Sequence, residues 1–466
     1  MSIKAEVEPS SFRDTYGHVY HYDSKILRTV NKVAKKEYEF CRDNEILSKS
    51  IQKNFLIDTI EIDKNKFSND FLGSSYLLES KLIPYISYPY EWSFQQLKAA
   101  ALHHLEFQLF LFDQNAVLRD ASAYNIQFTG SKPIFIDVLS IKEYQDGEYW
   151  LAYKQFCENF LNPLILRSVK GVTHNKWFRG SLEGIETIEL NKLLSLKDKI
   201  SWKVFTHVVL QANLIQKAIN DPKSSSKKVK NLRKLSKNSY KGMLLQLYGW
   251  IKNLNLKKNK TVWDDYSETN TYNDKEFENK KKIVSEFVKK LKPNKLIDLG
   301  CNTGQFSEVS LKSGANYVVG YDFDQNTIDE AFKYSKNKEI NFLPLVFDAS
   351  NPSPNQGWMQ RERKGFFERN KANALIALAF EHHLAIAKNI PLHEIIEWIS
   401  KLAPFGLIEF VPKEDETIKR MLENREDIFD QYNQENFERI LKSKTKIIKK
   451  TKVSDSGRTI YEFQTL

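Results

Sequence analysis

Residues 295–304 read KLIDLGCNTG, and this stretch carries the strongest structural signal of the chain. Its apolar run is short and closes with Asp298 and Leu299, which is typical of a buried strand in a parallel sheet. Gly300 and Gly304 follow, and glycine lets the backbone turn sharply and approach a ligand where a side chain would block it. The stretch therefore predicts a strand, a tight ligand-binding loop and a helix that begins near Gln305.

The sequence downstream of this loop alternates between short apolar runs and helix-like segments. Such alternation predicts an α/β fold with a doubly wound, Rossmann-like sheet, in which ligands bind outside the carboxyl ends of the strands. The predicted strands are 295–300, 317–322, 340–348, 372–380 and 405–411. The predicted helices are 305–313, 326–336 and 391–403.

Acidic residues stand near the ends of three predicted strands. Asp298 belongs to the first strand, Asp322 ends the second and Asp348 ends the third. A carboxylate about twenty residues after the glycine loop is where such folds hydrogen-bond ribose hydroxyls. A nicotinamide-cofactor site is the alternative, but its G-x-G-x-x-G fingerprint differs from the G-C-N-T-G of this loop.

The motifs DLGCNTGQFS, VVGYD and VFDAS resemble the successive cofactor motifs of class I S-adenosylmethionine (SAM)-dependent methyltransferases. The resemblance covers roughly the last 200 residues. It implies that four residues of the first motif shape the pocket for the methionine end of SAM. These are Asp298, Gly300, Asn302 and Gly304.

The same resemblance implies roles for three residues outside the loop. Asp322 would hold the ribose, and Asp348 with its neighbours would contact the adenine. Tyr272 lies in the segment that precedes the sheet and would reach the carboxylate of SAM, with Tyr266 as the alternative.

The methyl acceptor is expected after the fourth predicted strand, where the chain reads AFEHHL at 379–384. His382 and His383 are the candidate catalytic bases, because histidine titrates near neutrality and can accept a proton from an acceptor hydroxyl. The alternative is that both satisfy buried hydrogen bonds. A [DN]-P-P-[YF] tetrapeptide is absent here, which favours oxygen of a small molecule or glycan as the acceptor. Glu409 and Asp415 are supplied by the segment after the fifth strand. They are either substrate ligands or ordinary charged residues of a loop.

The N-terminal half contains LRDASAYN at 118–125 and an apolar run that ends at Asp137. This pattern is an Asp, an Asn five residues later and a second Asp at the end of the apolar run. It resembles the catalytic loop and the metal-binding aspartate of protein-kinase-like folds. The resemblance implies an α+β kinase-like domain in which Asp120 is the base, and Asn125 and Asp137 hold magnesium with ATP. The lone Gly17 and the missing phosphate loop favour a degenerate domain over an active kinase, and an unrelated α+β domain remains open.

Composition shifts divide the chain into three parts. We expect the kinase-like domain at 1–215, a basic helical linker at 216–260 and the methyltransferase domain at 261–466. Residues 223–241 hold eight Lys and Arg and no Asp or Glu. Such a run can contact the phosphates of RNA or anionic lipid, or it can be a solvated linker face.

The remaining composition limits the class of protein. The three cysteines, at 41, 157 and 301, form no metal or disulfide pattern. No apolar run is long enough to span a membrane, so we expect a cytoplasmic protein.

Taken over most of its length, the chain resembles nodulation-protein-like bacterial methyltransferases of the NoeA type, through SYPYEWSF, LRDASAYNIQF, DLGCNTGQFS and FEHHLAI. We therefore expect a SAM-dependent methyltransferase that acts on an unidentified acceptor. The alternatives are an RNA methyltransferase that uses the basic linker, a bifunctional kinase-methyltransferase, and a non-enzymatic ligand sensor.

Overall fold

The computed structural model describes residues 5–67, 71, 73–221, 234–256, 274–423 and 425–466. They form two compact units. Within these described residues, the first unit comprises 5–128, 133–256 and 356–363, and the second comprises 129–132, 274–355 and 364–466.

The first unit begins with a five-stranded antiparallel sheet in the order β1-β2-β3-β5-β4. Two small two-stranded sheets follow, β6 with β9 and β7 with β8. The strands are β1 Glu6–Val7, β2 Val19–Tyr22, β3 Lys25–Val30, β4 Thr59–Ile62, β5 Tyr76–Ser80, β6 Ala116–Leu118, β7 Ile126–Thr129, β8 Lys132–Phe135 and β9 Ile141–Glu143.

The longest helix of the first unit, α3, is largely buried. A capping box at Ser93 starts α3, because the Ser93 hydroxyl and the Gln96 side chain satisfy each other's backbone N–H groups. The helices are α1 Lys35–Asp43, α2 Ile46–Gln52, α3 Phe94–Asp113, α4 Tyr153–Phe156, α5 Asn162–Ile165, α6 Asn175–Gly180, α7 Thr187–Leu193, α8 Leu196–Lys199, α9 Trp202–Val204, α10 Leu210–Asn220 and α11 Lys237–Lys252. Wider π-helical turns stand at Cys157–Leu161, Leu166–Lys170 and Phe205–Val209.

The segment 216–260 was predicted to be a linker, but its described residues, 216–221 and 234–256, belong to the first unit. Helix α11 packs on α3, and Tyr240, Leu244 and Leu247 are buried. The Tyr240 hydroxyl accepts a hydrogen bond from the Gln108 side chain on α3 at 3.2 Å. Apolar spacing along α11 therefore serves core packing.

The second unit contains a seven-stranded sheet in the order β12-β11-β10-β13-β14-β16-β15. Its first five strands are parallel, and β16 and β15 add to β14 as an antiparallel pair. The strands are β10 Lys295–Leu299, β11 Tyr317–Asp322, β12 Phe342–Val346, β13 Ala374–Ala377, β14 Phe405–Phe410, β15 Thr445–Lys452 and β16 Thr459–Thr465. The strand order reverses between β10 and β13, which makes this the topological switch point where such sheets bind ligands.

The helices of the second unit connect these strands. They are α12 Asp274–Leu291, α13 Gln305–Lys312, α14 Gln325–Lys338, α15 Phe366–Arg369, α16 Leu392–Ser400, α17 Glu416–Leu422 and α18 Gln434–Lys444, with a π-helical turn at His383–Ala387. This architecture confirms the predicted α/β fold with a parallel-rich sheet. The strand pair β15 and β16 was not predicted.

Candidate functional site

The loop between β10 and α13 is shaped by three residues in the left-handed backbone region. Gly300, Asn302 and Gly304 have φ of 75°, 48° and 92°. A Cβ on Gly304 would lie 2.4 Å from the Phe342 ring, so only glycine fits there. The N–H groups of Gly300 and Cys301 both donate to the Tyr321 carbonyl, at 2.8 and 3.0 Å, which holds the loop against the end of β11.

Asp298 lies on β10, directly before this loop, and its side chain is buried. It accepts a hydrogen bond from the Ser307 hydroxyl at 2.6 Å. Burial, and then the charge of Asp322, raises the pKa of Asp298 to about 7.

Asp322 ends β11 on the other side of the loop. Its carboxylate accepts the N–H groups of Asn302 at 3.1 Å and Asp324 at 3.0 Å. Burial raises its pKa to about 6. Among the described residues, neither Asp298 nor Asp322 has a Lys, Arg or His ion-pair partner. The loop therefore presents two carboxylates whose charge a cationic ligand would neutralise.

Asp348 follows β12 and is exposed, and it accepts hydrogen bonds from the N–H and hydroxyl of Ser350 at 3.0 and 2.6 Å. The preceding residue, Phe347, stacks on Phe366 with 4.3 Å between ring centroids. The Trp398 ring is roughly parallel to both at 6.4 and 6.0 Å. Phe347 and Phe366 are buried, so this aromatic stack packs in the core directly behind Asp348.

The structure brings Asp298, Gly300, Asn302, Gly304 and Asp322 together around one loop. Asp348 follows the adjacent strand β12. The predicted cofactor residue Tyr272 and its alternative Tyr266 lie outside the described residues.

The chain after β13 forms the part of the second unit where an acceptor was expected. Ala379 has φ of 49°, an uncommon conformation for a residue with a Cβ. The His382 and His383 rings are tilted to each other with centroids 4.3 Å apart, and the π-helical turn begins at His383. Local strain and π-helical turns are frequent at functional sites.

His382 is buried and surrounded by charges from distant parts of the second unit. Its Nδ1 lies 3.1 Å from the Glu381 carboxylate. Burial, and then the Arg458 charge, lowers the pKa of His382 to about 3. The His383 side chain is partly exposed. Its pKa is also lowered to about 3, first by burial and second by the neighbouring His382. Both rings are therefore neutral at neutral pH, and His383 is the one that solvent reaches.

The charges that act on His382 belong to two buried ion pairs. Lys280 on α12 lies 2.6 Å from a Glu409 carboxylate oxygen, and Arg458 bonds both oxygens of Asp415 at 2.7 Å. Glu409 and Asp415 are thus partners in buried ion pairs of the second unit. The sequence had suggested that they were either substrate ligands or ordinary loop charges.

Glu381 is a buried residue that sequence reasoning missed. It accepts hydrogen bonds from the Tyr432 hydroxyl at 2.8 Å and the Val411 N–H at 3.1 Å. Burial raises its pKa to about 7. The available signal was a carboxylate placed between an apolar strand and two histidines.

The three predicted residues of the first unit also lie near one another. The Asn125 amide donates to Asp120 at 3.2 Å, and burial raises the pKa of Asp120, with the nearby Asp137 charge adding to the shift. Asp137 is already paired, because the Arg28 guanidinium lies 2.8 Å from one of its oxygens and also contacts Asp14. Within the described residues, no group of three or more His, Cys, Asp or Glu could hold a metal ion.

Two predictions concern the surface of the protein. Residues 222–233 of the basic run lie outside the described residues. In the part of the chain that the structure describes, no helix is both long and apolar enough to span a bilayer.

The second unit is thus an α/β unit whose glycine loop and strand-end carboxylates occupy the switch point of the sheet, as in proteins that bind nucleotide-like ligands. No protein-family model matches the chain. The chain is 47% identical over 460 residues to nodulation protein NoeA of Rhizobium meliloti (strain 1021). The aligned region covers 97% of this chain and 95% of that protein. It therefore belongs to the NoeA family of nodulation proteins, which confirms the whole-chain resemblance.

Solved structures match smaller parts of the chain. The N-methyltransferase NodS from Bradyrhizobium japonicum WM9, in complex with S-adenosyl-L-homocysteine, is 12% identical over 39% of this chain and 85% of NodS, with a TM-score of 0.28. The bifunctional kinase-methyltransferase WbdD is 19% identical over 36% of this chain and 34% of WbdD, with a TM-score of 0.27. The PH0226 protein from Pyrococcus horikoshii OT3 is 20% identical over 37% of this chain and 82% of that protein, with a TM-score of 0.28. Similarity at this level assigns no function.

Proposed function

We propose that this protein is a SAM-dependent methyltransferase that acts on an oxygen of a small molecule or glycan. The observation that carries the proposal is the pair Asp298 and Asp322, two carboxylates without a cationic partner among the described residues, on either side of the glycine loop. SAM carries a sulfonium and an ammonium group, so its charge is complementary to this pair. When bound, SAM would supply an electrophilic methyl group.

The cofactor roles follow from the hydrogen-bonding capacity of each residue. The Asp322 carboxylate accepts hydrogen bonds from the backbone N–H groups of Asn302 and Asp324, and it can still accept hydrogen bonds from ribose hydroxyls. The backbone of the 300–304 loop has no side chain at two of its turns, so a ligand can approach it closely. Asp348, which is exposed, would contact the adenine together with its neighbours.

The acceptor chemistry is assigned to His383 rather than His382. His383 is the partly exposed ring of the pair. Its pKa of about 3 keeps the imidazole neutral but makes it a weak base, so we assign it the orientation of the acceptor hydroxyl as well as the acceptance of its proton. His382 and Glu381 would position it, because His382 bonds to Glu381 and Glu381 is in turn fixed by Tyr432. Orientation of the acceptor would supply most of the rate gain.

We further propose that the first unit contains the degenerate kinase-like domain that was predicted at 1–215. The long helix α3 runs just before the Asp120 loop, and Asp137 follows β8, which supports the resemblance. Magnesium and ATP do not fit the residues as they stand. Arg28 already neutralises Asp137, and Asp120 bonds to the Asn125 amide, so no pair of free carboxylates remains for the metal.

Calorimetric titration with SAM and S-adenosyl-L-homocysteine tests the cofactor assignment. Asp322→Asn should weaken binding about thirtyfold, or about 2 kcal/mol, because a charged hydrogen bond to the ribose is lost. Glu330→Gln on the exposed face of α14 is the matched control and should bind as the native protein does. Equal affinity in Asp322→Asn and the control would refute the assignment.

The acceptor assignment is tested by the release of S-adenosyl-L-homocysteine in the presence of pooled sugars and glycans. His383→Gln should lower turnover and leave SAM affinity unchanged. Full turnover in both single variants, His382→Gln and His383→Gln, would exclude a histidine base.

An RNA methyltransferase is the second candidate, supported by the eight cations of 223–241. RNA binding that weakens steeply with salt, together with methyl transfer to RNA, would favour it over the glycan.

A further inference from the structure

The first unit exposes a row of large apolar side chains between α7 and the end of α10, called here the apolar stripe. Their exposed fractions run from 42% to 85%. The members are Leu193, Leu196, Ile200, Trp202, Phe205, Leu210, Leu214 and Ile219. Large aromatic and branched residues follow one another here at intervals of two to five positions, unlike the singly scattered apolar residues that are normal on protein surfaces.

The helical segment that carries the stripe has apolar side chains on two sides. Only one of these sides packs against the first unit, so the other remains exposed. Val204, Val208 and Ala212, four positions apart, form the buried side against the rest of the first unit. On the other side, the Trp202 and Phe205 rings stack with centroids 6.3 Å apart and remain in contact with water. A helical segment that is apolar on both sides is one that another apolar medium normally covers.

Positive charge is concentrated in the same part of the chain. Residues 187–241 contain 13 Lys and Arg but only three Asp and Glu, whereas the whole chain has 70 and 59. This part therefore supplies nearly all of the net charge of +11. One of its three acidic residues, Asp198, is paired with Lys170 at 2.6 Å. Lys192, Lys197 and Lys199 alternate with the apolar members of the stripe.

We propose that the apolar stripe docks on the surface of an anionic lipid bilayer. Apolar and aromatic side chains combined with flanking lysines are what an interfacial helix needs, since the side chains enter the headgroup region and the lysines contact lipid phosphates. Nucleic acid would use the charge but would leave Leu196 and Ile200 uncovered. A second copy of this chain would cover the apolar residues but would bring two strongly basic segments together.

Such docking lies in the plane of the membrane surface. It needs no spanning helix, and none is found among the described residues. The site consists of described residues alone, among which Lys192, Lys197 and Lys199 supply the attraction to an anionic surface.

Flotation of the full-length protein with lipid vesicles tests the proposal. Binding is expected to vesicles of phosphatidylcholine with one quarter phosphatidylglycerol, and to be much weaker with phosphatidylcholine alone. The triple variant Leu196→Ser/Ile200→Ser/Trp202→Ser should lower partitioning to the anionic vesicles about tenfold or more, because each serine removes an inserted apolar group. Lys192→Gln/Lys197→Gln/Lys199→Gln should reduce the difference between the two vesicle types.

The control is Ile60→Ser/Leu82→Ser/Ile428→Ser, three apolar residues outside the stripe that are more than half exposed, at 58%, 55% and 60%. This control should bind vesicles as the native protein does. Equal binding by the stripe variant and the control, or no binding to anionic vesicles, would overturn the proposal. So would a dimer in sedimentation equilibrium that the stripe variant dissociates while vesicle binding is absent, since a second copy would then be the occupant.

Discussion

At the scale of single residues, the two carboxylates at the glycine loop link ligand binding to pH. The pKa values of Asp298 and Asp322 are raised to about 7 and about 6 from 3.8, mainly by burial. Their protonated forms are favoured in the fold, so this contribution to stability is full below pH 3.8 and is lost as pH rises through these values. A cationic ligand reverses the preference, because it favours the ionised carboxylates.

We therefore expect the affinity for SAM to rise with pH. Ionisation of Asp298 alone should raise it about tenfold between about pH 6 and pH 8, with proton release on binding at the lower pH. Titrations in two buffers of different ionisation enthalpy measure the released protons. Asp298→Asn should flatten the profile, while Glu330→Gln should keep it. A pH-independent affinity in the native protein would contradict the raised pKa values.

A second residue-scale prediction concerns Arg28 of the first unit. Arg28→Ala leaves Asp14 and Asp137 without their shared guanidinium, so we expect a loss of about 1–3 kcal/mol in the free energy of unfolding. Two freed carboxylates are hard oxygen ligands, so magnesium should raise the melting temperature of Arg28→Ala. The native protein should show no such shift. Arg13→Ala, which removes an exposed guanidinium bonded to Glu362, is the control. Equal magnesium shifts in all three proteins would show that Arg28 does not replace the metal.

The sequence predicted the geometry of the glycine loop and of the strand ends, but it did not predict the surroundings of the two histidines. Gly300, Gly304 and the strand-end carboxylates are local signals, since their roles depend on backbone geometry within a few residues. The lowered pKa of His382 depends first on its burial and then on the charge of Arg458, which lies 76 positions away in the sequence. Long-range pairing of this kind leaves no periodic pattern, so the candidate base could be narrowed to two histidines and not to one.

At the scale of elements, the Lys280 to Glu409 ion pair fastens helix α12 to strand β14. Both side chains are almost fully buried, at 2% and 0% exposure. Breaking such a pair leaves an uncompensated buried charge, which costs more than the pair contributes. The helix that precedes the sheet is therefore held by a buried polar contact as well as by its apolar face.

Lys280→Ala should lower the free energy of unfolding by about 3–5 kcal/mol, because Glu409 would stay buried without its cation. The double variant Lys280→Met/Glu409→Leu should recover most of this loss, since it removes both charges and keeps the volume. Urea unfolding followed by circular dichroism gives the values. The exposed pair Lys333 and Glu330 is the comparison, and Lys333→Ala should cost less than about 1 kcal/mol. A double variant as unstable as the single one would mean that the loss comes from packing.

Strand prediction succeeded where a strand is buried on both faces. Strands β10 to β14 read as continuous apolar runs, the pattern of parallel strands covered by helices. Strand β15, TKIIKKTK, is a lysine-rich strand at the end of the sheet, where charged side chains discourage pairing with other chains. The five-stranded sheet of the first unit was missed for a related reason, because strands such as β1 and β4 are short and partly exposed.

At the scale of the whole molecule, the two units should respond differently to the cofactor. If SAM binds at the loop of the second unit, it stabilises the folded state of that unit by about 2.7 kcal/mol at one hundred times its dissociation constant. Hydrogen exchange with and without S-adenosyl-L-homocysteine should then slow in β10, β11 and β13, which line the switch point. The sheet formed by β1 to β5 in the first unit should exchange at an unchanged rate, because its local opening does not release the ligand. Asp322→Asn should abolish the slowing, whereas slowing confined to the first unit would place the ligand there and refute the cofactor site.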